Sequence, residues 1–149
     1  MNETNPKFVT ILIDNSDTSM DGDFYPTRLK AQISTTILYS QYLFSENSNS
    51  QIAIGTLSDE ESGIRASFTN SHQKIEDTLN NITSSGMINF SKGIKCAVLA
   101  LHHCKSNETL NKRILAFVGS DNEITQKNVK EISTLLSKEC IGLDLVTIG

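Results

Sequence analysis

The sequence predicts an α/β fold in which a mostly parallel central sheet carries helices on both faces and an antiparallel strand at one edge. Three observations predict it. Short apolar runs alternate with segments whose apolar residues recur every three or four positions, and right-handed crossovers then place helices on both faces of the sheet. The first run, Phe8-Val9-Thr10-Ile11-Leu12-Ile13, is apolar almost without a break, as suits a strand buried on both sides. The run from Ile64 to Phe68 instead holds the charged Arg65, which marks a sheet edge.

The elements follow in order. After the first strand, Pro26 fits the first turn of a helix whose Leu29, Ile33 and Ile37 repeat every four residues. Ser45 to Ser50 reads as a loop, and Gln51 to Leu57 as a second strand with Ile52 and Ile54 on one face. A turn through Asp59 to Gly63 leads to the edge strand. Ile75, Leu79 and Ile82 predict a short helix, broken by Ser84-Ser85-Gly86. Ile94, Ala97, Val98 and Leu101 give the cleanest helical stripe. Arg113 to Val118 is another buried strand, ended by Gly119-Ser120. Val129, Ile132 and Leu136 mark a last helix with Thr125 as N-cap, and Ile141 to Ile148 closes the sequence as a strand. Sites in such sheets lie beyond the carboxyl ends of the strands, where strand order reverses. The loops expected to matter follow Ile13, surround Gly86 to Ser91, and follow Val118.

The 149 residues are enough for one sizeable core and too few for two, so residues 1–149 are expected to form a single domain. A hydrophobic share of 38% with only two prolines excludes a disordered linker. The net charge of −4 and the absence of any Lys/Arg run argue against nucleic acid as a partner. No window approaches a membrane span, and the polar start Met1 to Lys7 lacks the apolar stretch of a signal peptide. The expectation is therefore a protein of cytoplasm and nucleus, away from membranes, with Cys96, Cys104 and Cys140 as thiols. The sequons at Asn2, Asn81 and Asn107 are then expected to stay bare.

Chemistry for catalysis is missing from the pattern. There is no glycine-rich phosphate loop and no Gly-x-Ser-x-Gly elbow. A zinc site built from Cys96, His103 and Cys104 lacks the Cys-x-x-Cys pair that would support it. Reduced helix cysteines and a solvated pair, His102 and His103, are the expected reading, with no enzyme activity and no cofactor.

One constellation stands out. Asp14-Asn15-Ser16-Asp17-Thr18 directly follows the first strand, and the carboxylate of Asp14 with the hydroxyls of Ser16 and Thr18 would supply half of the oxygen octahedron that Mg²⁺ takes. Asp-x-Ser-x-Ser/Thr in this place resembles the first part of the metal-dependent adhesion site of von Willebrand factor A (vWA) domains, which are Rossmann-like. That resemblance implies a threonine near Ile88 to Phe90, where Asn89 stands, and an aspartate after Val118, where Gly119-Ser120 stand and Asp121 is out of place. The set is thus expected to be degenerate and to hold no metal. Asp14 and Ser16 are expected to hydrogen-bond loop backbone, with Arg28 as a nearby charge partner.

Longer stretches narrow the resemblance. Ile13-Asp14-Asn15-Ser16 with Asp21-Gly22-Asp23, Pro26-Thr27-Arg28-Leu29 with Gln32, Ile88-Asn89-Phe90 with Gly93-Ile94, Arg113 to Ser120, and Leu143-Asp144-Leu145-Val146 occur in order along the chain. Together they are similar to the vWA domain of the multiubiquitin-receptor family of the proteasome regulatory particle. The resemblance implies a non-catalytic structural subunit that bridges lid and base subunits in ubiquitin-dependent degradation. It also implies structural or interaction roles for Asp14, Ser16, Asp23, Arg28, Asn89, Gly119 and Ser120. Many members carry ubiquitin-interacting motifs, helices with an acidic run before an Ala…Ser core. The sequence to Gly149 has no such tail, since Ala97-Val98-Leu99-Ala100-Leu101 lacks the acidic run, so ubiquitin chains are not expected to bind this polypeptide. The alternative is the vWA subunit of transcription and repair factor TFIIH, which shares the Asp-x-Ser loop and the Pro-x-Arg-Leu helix. The Arg113 to Ser120 strand favours the proteasome. An integrin-type, metal-dependent vWA module fails on the missing ligands and on the lack of a secretion signal.

Overall fold

The computed structural model describes residues 6–22, 27–58, 63–102, 111–118 and 126–147. The strands are β1 (Lys7–Ile13), β2 (Gln51–Thr56), β3 (Gly63–Thr69), β4 (Asn111–Val118) and β5 (Gly142–Thr147). They form one sheet in the order β3-β2-β1-β4-β5. β1 pairs in parallel with β2 and β4, β4 pairs in parallel with β5, and β2 with β3 is antiparallel. The predicted mostly parallel sheet with an antiparallel edge is what the chain builds.

The helices are α1 (Arg28–Glu46), α2 (His72–Asn80), α3 (Phe90–His102) and α4 (Gln126–Glu139). Successive strand residues point to opposite faces, and the two cores sort accordingly. Val9, Ile11 and Ile13 of β1 and Phe117 of β4 pack with Leu29, Ile33, Leu43, Ile75 and Leu79 of α1 and α2. Leu12, Ile114 and Ala116 pack with Ile94, Ala97, Leu101 and Ile132 of α3 and α4. The near-continuous apolar character of β1 is thus a consequence of helices on both sides. Among the described residues, no helix is long and apolar enough to cross a membrane.

Several boundaries differ from the sequence expectation. α1 starts at Arg28 because Thr27, with extended backbone, takes the N-cap and accepts from the Lys30 N–H at 3.1 Å. Pro26, expected in the first turn, lies outside the described residues. The same helix runs through Ser45 and Glu46, expected in a loop, and ends where the Asn47 N–H reaches the Leu43 carbonyl at 3.1 Å. α2 stops at Asn80, leaving Ile82 just beyond it. Val129, expected in the apolar stripe of α4, is 51% exposed, so the buried stripe rests on Ile132 and Leu136. Thr125 lies outside the described residues. β5 forms a second edge, where Leu145 and Val146 are exposed. There the Arg113 guanidinium grips Asp144 with two bonds of 3.0 Å, from Nε to Oδ2 and from Nη2 to Oδ1.

Candidate functional site

Strand order reverses between β1 and β4, since the chain proceeds outward through β2 and β3 and then returns to the other side of β1 for β4 and β5. The carboxyl end of β1 therefore lies at the switch point, and residues 14–18 sit there.

Asp14, Asn15 and Ser16 are all buried. The Asp14 carboxylate turns inward: its Oδ1 accepts from the Ser16 N–H at 3.0 Å and from the Ser16 hydroxyl at 2.6 Å. An aspartate closing a turn on the residue two ahead is a local preference of this side chain. Thr18 joins through a 3.1 Å contact between its hydroxyl and that of Ser16. From Asp17 the chain makes a 3₁₀ turn, Asp17–Met20.

Gln32 of α1 clamps this loop from below. Its Oε1 accepts from the Asp14 N–H at 2.8 Å, and its Nε2 donates to the Asp14 carbonyl at 2.9 Å.

Asn15 ties three segments together. Its Oδ1 accepts from the Ser58 N–H after β2 at 2.9 Å, and its Nδ2 donates to the Thr83 carbonyl between α2 and α3 at 3.1 Å. Its own carbonyl accepts from the Ser85 N–H at 2.8 Å, and the Asp17 N–H reaches the Gly86 carbonyl at 2.8 Å. Gly86 adopts φ +64°, a left-handed turn that glycine enters at little cost. The Ser58 hydroxyl donates to the Ser85 carbonyl, closing the seam.

The remaining expected residues fall as follows. Asn89 caps α3, its Oδ1 accepting from the Lys92 N–H at 3.1 Å, while its N–H donates to the Leu57 carbonyl at 2.7 Å. Arg28 is tied to Asp21 twice: its N–H donates to the Asp21 carbonyl at 2.9 Å, and its guanidinium lies 3.9 Å from the Asp21 carboxylate. Asp23, Gly119, Ser120 and Asp121 lie outside the described residues, as do His103 and Cys104. Among the described residues, no three His, Cys, Asp or Glu side chains gather at metal-binding distance.

The described oxygens do not fit a dedicated cation site. One carboxylate and two hydroxyls are half an octahedron. Asp14 Oδ1 is held by two donors of Ser16, and Asn89 Oδ1 is spent on the helix cap. Asn15, Gln32, Ser58 and Ser85 were not singled out as functional from sequence. Asn15 occupies a spacer position of the motif, and only its partners reveal its role.

A sheet of this topology with a motif loop at its switch point defines a class: the pattern of the von Willebrand factor type A domain matches residues 9–122, and the chain belongs to that family. Within it, the chain is similar to subunits of the proteasome. It is 30% identical over 139 residues to the 26S proteasome regulatory subunit rpn10 of Schizosaccharomyces pombe, covering 93% of this chain and 57% of that protein. It is 33% identical over 139 residues to the 26S proteasome non-ATPase regulatory subunit 4 of Schistosoma mansoni, covering 93% and 32%. The crystal structure of the SpRpn10 VWA domain superposes with a TM-score of 0.84 at 27% identity, covering 97% of this chain and 76% of that one. BatB from Bacteroides thetaiotaomicron shares the fold at a TM-score of 0.80 and 16% identity, covering 96% of this chain and 67% of that one. The chain thus spans little more than half of the first relative and about a third of the second.

Proposed function

We propose that this chain is a non-catalytic docking element of the 26S proteasome regulatory particle, working in cytoplasm and nucleus and bridging lid and base subunits in ubiquitin-dependent degradation. The observation that carries the reading is collinear similarity over 93% of the chain to proteasome regulatory subunits of a yeast and a fluke. The loop cluster agrees with it. Asp14 and Ser16 bond within their own loop and Asn15 bonds the loops at Ser58 and Thr83, which suits a rigid surface better than a reacting site.

Affinity purification of the tagged protein, with partners identified by mass spectrometry, tests the reading. Lid and base subunits of the proteasome are the expected result. Recovery of helicase and other TFIIH subunits in their place overturns it.

A further inference from the structure

α1 differs from the other helices in what it shows to water. Its charges, Arg28, Lys30 and Glu46, stand at its two ends, and residues 31–45 carry none. By contrast α2 exposes Lys74, Glu76 and Asp77, α3 exposes Lys92 and Lys95, and α4 exposes Lys130, Glu131 and Lys138. The buried side of α1 runs through Leu29, Ile33, Thr36, Ser40 and Leu43. At 3.6 residues per turn the opposite side centres on Leu38, which is 67% exposed, with Tyr42 beside it at 60%. Interface centres are poor in charge and rich in tyrosine, and this face has that composition.

The layout of the face reads the same in both directions. Ala31 and Ser45 lie seven residues before and after Leu38, along one line of the helix. Thr35 and Tyr42 lie on one flank of that line, three before and four after. Ser34 and Gln41 lie on the other flank, four before and three after. A second α1 laid antiparallel on this face and turned about Leu38 therefore sets leucine on leucine, each Tyr42 on Thr35, each Gln41 on Ser34 and each Ala31 on Ser45. Such self-complementarity is what a twofold interface requires, because one patch must serve both sides. A dissimilar partner would give the two halves of the face no reason to mirror each other. Charge points the same way: chains of −4 repel one another, and they repel least where two uncharged faces meet.

We propose that the outer face of α1 is a self-association surface, on which two copies of this chain pair antiparallel about Leu38 into a twofold dimer. The contact is one helix long, which places it among small, transient interfaces. It goes beyond the docking reading and does not depend on it.

The test is sedimentation velocity of the full chain from about 10 µM to about 1 mM, the range of weak association. The weight-average mass is expected to rise toward that of two chains. The rise should be steeper in about 0.5 M than in about 0.05 M salt, because salt screens the repulsion and the face holds no ion pair to weaken. Leu38→Lys and Leu38→Glu, with the fold checked by circular dichroism, should each weaken association at least about tenfold, since like charges then meet at the centre. An equimolar mixture of the two should restore it. Leu99→Lys on α3, at a position 58% exposed, should leave it unchanged. A chain that stays monomeric throughout overturns the proposal, as does association that persists in Leu38→Lys or a mixture that stays monomeric. A photocrosslinker at position 38 that captures a proteasome subunit while the chain stays monomeric gives the face to a partner and also overturns it. A monomeric chain that still co-purifies with proteasome subunits loses only this surface. A dimer that does not co-purify keeps the surface and loses the proteasome reading.

Discussion

Gln32 and Asp14, eighteen residues apart, meet backbone to side chain: one amide of α1 satisfies both the N–H and the carbonyl of the residue that ends β1, at 2.8 and 2.9 Å. Both residues are buried, at 1% and 0% exposure, so no water can replace either bond. The motif loop is held from its own helix side before any of its side chains act.

Gln32→Ala should therefore leave two buried backbone groups unpaired, at ~1–3 kcal/mol each. Gln32→Glu keeps the acceptor but loses the donor, and sets an oxygen against the Asp14 carbonyl. Guanidinium melts should show Gln32→Ala destabilised by about 2–6 kcal/mol and Gln32→Glu by at least about 1–3 kcal/mol. A loss within about 0.5 kcal/mol, the scale of an ordinary surface change, would refute the clamp.

Asp14→Ala separates a structural aspartate from a metal ligand. The substitution removes the acceptor of the Ser16 N–H and hydroxyl and should cost about 1–3 kcal/mol. That cost should be the same with excess Mg²⁺ and with EDTA. Millimolar Mg²⁺ on a micromolar site would by itself stabilise the parent protein by roughly 4 kcal/mol. A penalty that vanishes on chelation makes Asp14 a metal ligand.

Gly93 lies where α3 crosses the end of β2. A Cβ there would come within 2.3 Å of Leu57 Cδ2, and Leu57 is fully buried. Alanine gains up to ~1 kcal/mol of helix propensity over glycine, yet overpacking costs ~1–3 kcal/mol. Gly93→Ala should thus be net destabilising in a denaturant melt, with part of the loss recovered by Leu57→Val. A stabilised Gly93→Ala would contradict the close approach.

Cys140 ends α4 at φ +56°, a left-handed conformation that costs an L side chain ~1–2 kcal/mol. The bonds around it are those of a Schellman cap, from the Ile141 N–H to the Leu136 carbonyl at 3.0 Å and from the Cys140 N–H to the Ser137 carbonyl at 3.3 Å. Cys140→Gly should raise stability by up to about 1 kcal/mol after the extra chain entropy of glycine, whereas Cys140→Ala should change little. Equal midpoints for the two variants would remove strain as the reason.

The order of strands and helices was legible in the sequence because burial leaves a periodic mark. β1 reads as apolar on both faces since α1 and α2 cover one side and α3 and α4 the other. Arg65 marked β3 as an edge because a charge there stays in water. The Asp14, Ser16 and Thr18 cluster was legible too, because its bonds span two residues and depend on local turn geometry. Helix ends were less so: Ser45 and Glu46 are polar whether helical or not, and only the Asn47 to Leu43 bond fixes the end of α1.

What the tertiary structure alone decided are the long-range partners. Asn15 looks like a spacer in its motif, and it becomes the tie of three segments only when Ser58 and Thr83, 43 and 68 residues away, are folded against it. The meeting of Arg65, Lys74 and Asn15 around one cavity has the same origin. A sequence records which residues dislike water and which turns they favour, because those are properties of single residues and near neighbours. Which donor meets which acceptor across the sheet depends on strand order and register, and these exist only after the chain has closed on itself.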